Sequence, residues 1–150
     1  MTTEWQRGDY RISSDKSQLD LDIIHDYLAV RSYWAAGRSR EIIERSIENS
    51  LTFGVYDGDQ QIGLTRVITD YATFAYLCDV FVLDAYQGQG LGTWMMEVIS
   101  AHPDLQSVRF WTLATRDAHG LYQKVGFTPL QAPHKFMEKR ISNQLDCGAP

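Results

Sequence analysis

From residue 73 to residue 99 the chain reads Thr73-Phe74-Ala75-Tyr76-Leu77-Cys78-Asp79-Val80-Phe81-Val82-Leu83-Asp84-Ala85-Tyr86-Gln87-Gly88-Gln89-Gly90-Leu91-Gly92-Thr93-Trp94-Met95-Met96-Glu97-Val98-Ile99. Thr73 to Leu83 is apolar at nearly every position of both alternating sets, the pattern of a strand buried on both faces. Leu91, Trp94, Met95, Val98 and Ile99 fall at i, i+3, i+4, i+7 and i+8, the stripe of an amphipathic helix. A glycine-rich turn joins the two. A strand that feeds a helix in this way leads to a parallel crossover, and Ser107 to Leu113 is the strand that receives it.

Upstream, Tyr10 to Ser13 reads as a short first strand. Residues 19–30 carry Leu21, Ile24 and Leu28 at helical spacing behind Ser17 and Asp20 as caps. Ser39 precedes a second helix with Ile42, Ile43 and Ile47 on one face. Leu51 to Tyr56 and Ile62 to Thr69 flank Asp57-Gly58-Asp59-Gln60, a hairpin loop. Downstream, Asp117 is the expected cap of a short helix ended by Gly126. Phe127 to Leu130 and His134 to Glu138 are expected as final strands, and after Lys139 the chain is polar and aperiodic. The order is that of a mixed α/β sheet with helices on both faces, an antiparallel meander leading into the crossover.

With 150 residues the chain has the length of one domain, and about 70% of its unfolded surface is expected to be buried. An apolar fraction of 44% argues against disorder. Fourteen Lys and Arg against nineteen Asp and Glu leave a net charge of −5. That balance argues against nucleic-acid or anionic-membrane partners and leans toward cationic ligands. Cys78 and Cys147 make no disulfide scaffold and read as reduced. With no signal peptide and no long apolar run, the expected location is cytoplasmic.

Gln87-Gly88-Gln89-Gly90-Leu91-Gly92-Thr93 lets successive backbone N–H groups face one point, and the helix N-terminus adds orphan donors and a positive dipole end. Together they suit a pyrophosphate. A flexible strand-to-helix turn is the plain alternative. The turn lacks the Gly-Lys-Ser/Thr of a Walker loop, and Thr93 stands where a dinucleotide fingerprint needs its third glycine.

Asp79 interrupts the buried strand. A carboxylate there must be paired, hydrogen-bonded or facing a cleft. A structural aspartate satisfied by an arginine or by backbone amides stands level with a functional one. In Leu121-Tyr122-Gln123-Lys124-Val125-Gly126-Phe127, Leu121 and Val125 make the buried face and place the Tyr122 phenol at a cleft edge. A phenol there can protonate a leaving thiolate, although a half-buried packing tyrosine has the same signature. His25, His102, His119 and His134 have no ligand spacing with one another or with the cysteines, so no metal is expected. No Gly-x-Ser-x-Gly elbow supports a hydrolase triad.

The segments around Val82 to Gly92 and Leu121 to Phe127, in this order with a strand between them, resemble the GCN5-related N-acetyltransferase (GNAT) family. The first fits its Q/R-x-x-G-x-G/A motif and the second its L-Y-x-K-x-G-F segment. The resemblance covers residues 73–130 and implies a mostly antiparallel central sheet of six to seven strands with splayed middle strands. It makes residues 1–140 a single acetyltransferase domain and 141–150 a frayed tail. It implies acetyl-coenzyme A as cosubstrate, held by Gln87, Gly88, Gln89, Gly90, Leu91, Gly92 and Thr93 at the pyrophosphate and by Phe81, Val82 and Leu83 along the pantetheine arm. Tyr122 matches the usual general acid, and Asp79 a position where many members carry a carboxylate near the acceptor amine; the two are the expected catalytic residues, with Asp79 taking the amine proton directly or through water. Thr115, Arg116 and Asp117 stand where the family often has an asparagine that contacts pantetheine. Tyr33, Trp34 and Tyr76 are candidates for touching the acceptor, because the first two helices and their connection usually roof that pocket. The implied activity is N-acetyl transfer to a small-molecule or peptide amine, with a homodimer as a possible assembly. The alternative is a non-catalytic acyl-coenzyme A binding or sensing module.

Overall fold

In the computed structural model, which describes residues 2–141, six strands form a sheet in sequential order. They are β1 (Glu4–Arg7), β2 (Tyr10–Ser13), β3 (Leu51–Asp57), β4 (Gln60–Thr69), β5 (Phe74–Val82) and β6 (Phe110–Leu113). The first five pair antiparallel, and β6 pairs parallel to β5. Helices α1 (Leu21–Asp26) and α2 (Arg40–Glu48) follow β2. Helix α3 (Leu91–Ser100) makes the crossover and α4 (His119–Gln123) follows β6.

Two apolar clusters use the two faces of the sheet. On one, the α3 residues Leu91, Trp94, Met95, Met96, Val98 and Ile99 are buried with Phe53, Val55, Leu77 and Tyr122. Burial of each large side chain there contributes about 1.5–3 kcal/mol. On the other, Ile24, Leu28, Trp34, Ile43 and Ile47 pack with Leu64 and Phe81. The Tyr27 and Phe81 rings stack at 4.1 Å with 10° between their planes. Strand β5 is thus covered on both sides, as its apolar pattern requires.

Local chemistry explains the helix starts. The Asp20 carboxylate accepts from the Asp22 and Ile23 amides, and the Ser39 hydroxyl accepts from the Ile42 amide, each a cap worth about 1 kcal/mol. Asp15 rather than Ser17 caps the short 3₁₀ turn at Lys16–Gln18. The helix expected over 19–30 is α for six residues and then a π turn over Tyr27–Arg31, closed by a bond from the Ser32 amide to the Tyr27 carbonyl.

Other expectations are corrected. β1 is a strand that the polar opening of the chain did not announce, and it pairs as an edge with β2. Asp117 does not cap α4, whose N-cap is Ala118 without a side-chain bond. Neither 127–130 nor 134–138 is a strand. A 3₁₀ turn over Pro133–Lys135 takes up the first two residues of the second segment instead, and Pro129 removes an N–H that a ladder through the first would need. Of the expected frayed tail only Ile141 falls within the described residues; Cys147 lies outside them. No helix among the described residues is long and apolar enough to cross a membrane.

Candidate functional site

The sheet opens where β5 outruns β6. Parallel pairing ends at Leu77 with Leu113, so Cys78 to Val82 continue without a β6 partner. On its other side, β5 pairs Cys78 with Arg66 and Phe81 with Leu64, leaving Asp79 and Val80 together opposite Thr65. This is a bulge, and Asp79 takes φ +51° within it, a left-handed conformation sparsely populated by residues with a β-carbon.

Beyond β5 the glycine loop turns into α3. Gly88 and Gly90 both have φ +79°, and a β-carbon on either would stand in open space. Gly90 is the N-cap and offers no side chain, so the first α3 amides take no side-chain cap. The loop is tied from outside. The Gln87 amide side chain donates to the Val82 carbonyl at 2.9 Å, and the Tyr10 hydroxyl donates to Gln89 Oε1 at 2.7 Å. The Tyr86 hydroxyl donates to the Asp57 carboxylate at 3.1 Å. The bulge and the loop enclose a cleft of about 270 Å³ lined by Val80, Phe81, Val82, Gln87, Gly88, Gly90, Leu91, Gly92, Thr93 and Leu121 among others. Gln89 and Leu83 are not among the residues lining this cleft: the Gln89 side chain accepts from Tyr10, and the Leu83 amide donates to the Ile62 carbonyl at 2.8 Å.

Helix α4 is a wall between two spaces. Leu121 lines that cleft, while Tyr122 lines a second cavity of about 340 Å³ with Leu113, Thr115 and His119. Tyr122 is 1% exposed, more buried than its place on the helix suggests, and its hydroxyl has no hydrogen-bond partner among the described residues. Burial, with a smaller contribution from Tyr33, pushes the phenol well above its ordinary pKa. It stays protonated across the range in which enzymes work, the state a proton donor needs.

Asp79 is 1% exposed and holds several donors at once. The Trp34 indole N–H reaches Oδ1 at 3.0 Å. Arg38 reaches both oxygens at 3.1 and 3.0 Å, and Arg66 Nε reaches Oδ2 at 2.8 Å. Arg66 also donates to the Ser50 hydroxyl at 3.0 Å. Tyr33, beside Trp34, accepts a bond from the Arg116 amide at 3.1 Å, and the Arg116 guanidinium lies 4.0 Å over its ring. Tyr76 sits on β5 between Ile68 and Thr112 and lines neither cavity.

Arg38 and Arg66 were not foreseen from the sequence, nor was the contact of Arg116 with Tyr33. Arg66 carried a signal: a lone charge in the apolar run Ile62 to Ile68, across the hairpin from the lone charge of Asp79, asks to be paired with it. Arg38 and Arg116 lie in loops and carried none. Among the described residues no three metal-ligating side chains gather.

Residues 48–129 match the model of the acetyltransferase (GNAT) domain family. A Gibberella zeae protein provisionally named an acetyltransferase is 33% identical over 115 residues, which are 64% of this chain and 65% of that protein. The chain thus matches just under two thirds of that relative's length. A crystal structure from Xanthomonas campestris pv. campestris, provisionally named an acetyltransferase of the GNAT family, is 45% identical with a TM-score of 0.86. The match covers 88% of this chain and 93% of that one. A GNAT family acetyltransferase of Elizabethkingia anophelis, solved with acetyl-CoA bound, is alike in fold at 19% identity and a TM-score of 0.57, over 95% of this chain and 94% of that one.

Proposed function

The chain belongs to the GNAT acetyltransferase family, and from that premise we propose that it moves an acetyl group from acetyl-coenzyme A directly to a primary amine. The observation that carries this reading is a buried phenol without a partner, on a short helix whose preceding residue lines a cleft between a strand bulge and a glycine loop. A hydroxyl left unpaired in a protein interior is costly, and a reaction that uses its proton accounts for it.

Acetyl-coenzyme A suits the cleft. Left-handed glycines leave room at Gly88 and Gly90, and the uncapped start of α3 presents N–H groups and a positive dipole end to a pyrophosphate. The strand end that β6 leaves unpaired supplies backbone groups for an extended arm. In the reaction, the neutral amine nitrogen attacks the thioester carbonyl carbon. The C–N bond forms and the C–S bond breaks. The departing sulfur takes the Tyr122 proton, the extra amine proton passes to water, and the phenol is then reprotonated from solvent. Amides at the bulge are the donors suited to the carbonyl oxygen as charge gathers on it. The cavity beside Tyr122, with the loop carrying Tyr33 and Trp34, is the place for the acceptor.

The test is thiol release from acetyl-coenzyme A over polyamines, amino acids, aminoglycosides, arylamines and short peptides, with alcohols as controls. Release that depends on an amine supports the reading. Tight binding of acetyl-coenzyme A with no release from any amine overturns it in favour of a sensing module.

A further inference from the structure

The loop Ser32–Ser39 connects the π turn to α2 and is closed on itself by local bonds. The Ser32 hydroxyl accepts from the Ala35 amide, and the Gly37 amide donates to the Ala29 carbonyl. Out of this compact loop two side chains, Trp34 and Arg38, reach across to one carboxylate, Asp79, in the β5 bulge. Arg66 holds the same carboxylate from β4. The whole group lies in the interior, with side-chain exposures of 11% for Arg38, 5% for Arg66 and 1% for Asp79. The residue so held has the left-handed backbone, and such a conformation persists only where its surroundings over-determine it. Val80 and Phe81, the next two residues, line the coenzyme cleft.

We propose that Arg38 and Asp79 form a latch that ties the roof loop to the strand bulge, so that the acceptor's roof and the amides facing the thioester are set as one unit. The inference rests on the acetyl-transfer reading above and gives Asp79 a different part from that of proton acceptor. Both its oxygens already accept from guanidinium groups, Oδ1 from Arg38 and Oδ2 from Arg38 and Arg66, and an amine proton would have to displace one of them. Arg38 and Asp79 are positioning residues, acting through the backbone of Val80 and Phe81. Arg66 steadies Asp79 from the sheet side and carries the restraint to Ser50 at the end of α2.

The experiment compares Arg38→Ala and Arg38→Lys with the wild type, below the melting temperature of the least stable protein. Displacement of a reacting group by about an ångström is worth on the order of 100-fold in rate. Arg38→Ala is expected to lose roughly 10- to 100-fold in kcat with little change in the KM for acetyl-coenzyme A. Arg38→Lys, which keeps a charge but not the reach that brings one guanidinium nitrogen to both oxygens, should recover part of the loss. Guanidinium ion at millimolar concentration should restore Arg38→Ala and leave the wild type unaffected. Amide hydrogen exchange across Asp79 to Val82 should quicken in Arg38→Ala. Unchanged kcat in a folded Arg38→Ala variant, or a loss that neither lysine nor guanidinium relieves, overturns the latch. Should the wild type acetylate no amine, the function fails while the exchange rates still decide the latch: equal rates in the two proteins reject it.

Discussion

The carbonyl oxygen of Phe81 lies 2.8 Å from where a β-carbon on Gly63 would sit. Gly63 pairs with Val82 across the β4–β5 ladder, so Phe81 is its diagonal neighbour on the side of the bulge, and Val55 closes the other side at 3.3 Å. The close approach fixes how deeply β5 lies against β4 at the floor of the coenzyme cleft.

Gly63→Ala should therefore push β5 outward at Phe81. The misfit is worth about 1–3 kcal/mol, and at roughly 2–4 °C per kcal/mol for this chain length it lowers Tm by several degrees. Affinity for acetyl-coenzyme A should fall with it, as read by calorimetry. An unchanged Tm with unchanged affinity would mean that the strand yields freely there.

Much of this architecture was legible from residues 73–99. The stripe from Leu91 to Ile99 is buried as its spacing requires, and Gly88 and Gly90 take positive φ where the chain enters α3. What escaped was non-local. The burial of Tyr122 depends on β6 and Phe127, whose ring lies 6.1 Å away, and not on α4 alone. Arg66, across the hairpin from Asp79, carried a signal, but Trp34 and Arg38 come from 45 and 41 residues away in sequence, and no local pattern encodes their convergence on it. The terminal segments misled because Pro129 withholds a ladder donor from the first and a 3₁₀ turn over Pro133–Lys135 takes up the start of the second.

Tyr122→Phe deletes one proton and one unpaired buried hydroxyl. If the phenol is the proton donor, kcat drops on the order of 10²–10⁴-fold while affinity for acetyl-coenzyme A holds. Tm should stay level or rise, because the lost hydroxyl had no partner to lose. Steady-state kinetics beside a melting curve tests both halves. A kcat within about twofold of wild type would make Tyr122 a packing residue.

Gly90 separates room from conformation. Its left-handed φ is hard for a β-branched residue, whereas asparagine visits that region more readily. Gly90→Val should weaken coenzyme A binding in calorimetry and Gly90→Asn should weaken it less, both with the fold retained. Equal affinity in all three proteins would remove residues 87–93 from the coenzyme site.

His102 gives a stability prediction. Its Nδ1 accepts from the Asp104 amide at 3.1 Å, its Nε2 is buried without a partner, and the ring packs against Trp5 and Phe53. Burial lowers its pKa, partly opposed by Asp104. The unfolded chain then binds more protons than the native one between the lowered value and about 6.5, so stability rises with pH through that window and is lost as pH falls through it. The urea midpoint should fall between about pH 7.5 and about pH 5.5. His102→Asn, which keeps an acceptor for the Asp104 amide, should flatten that slope; an equal slope in the variant would place the dependence elsewhere.

The most direct measurement of the central claim follows the acetyl group itself. Acetyl-coenzyme A labelled in its carbonyl carbon is incubated with the protein and the best amine from the acceptor panel, and product and protein are both weighed by mass spectrometry. Direct transfer predicts the label on the amine nitrogen in step with thiol release, the protein's mass unchanged and the rate depressed in Tyr122→Phe. Label held on the protein, or thiol release with the label in free acetate and no labelled amide, would contradict it.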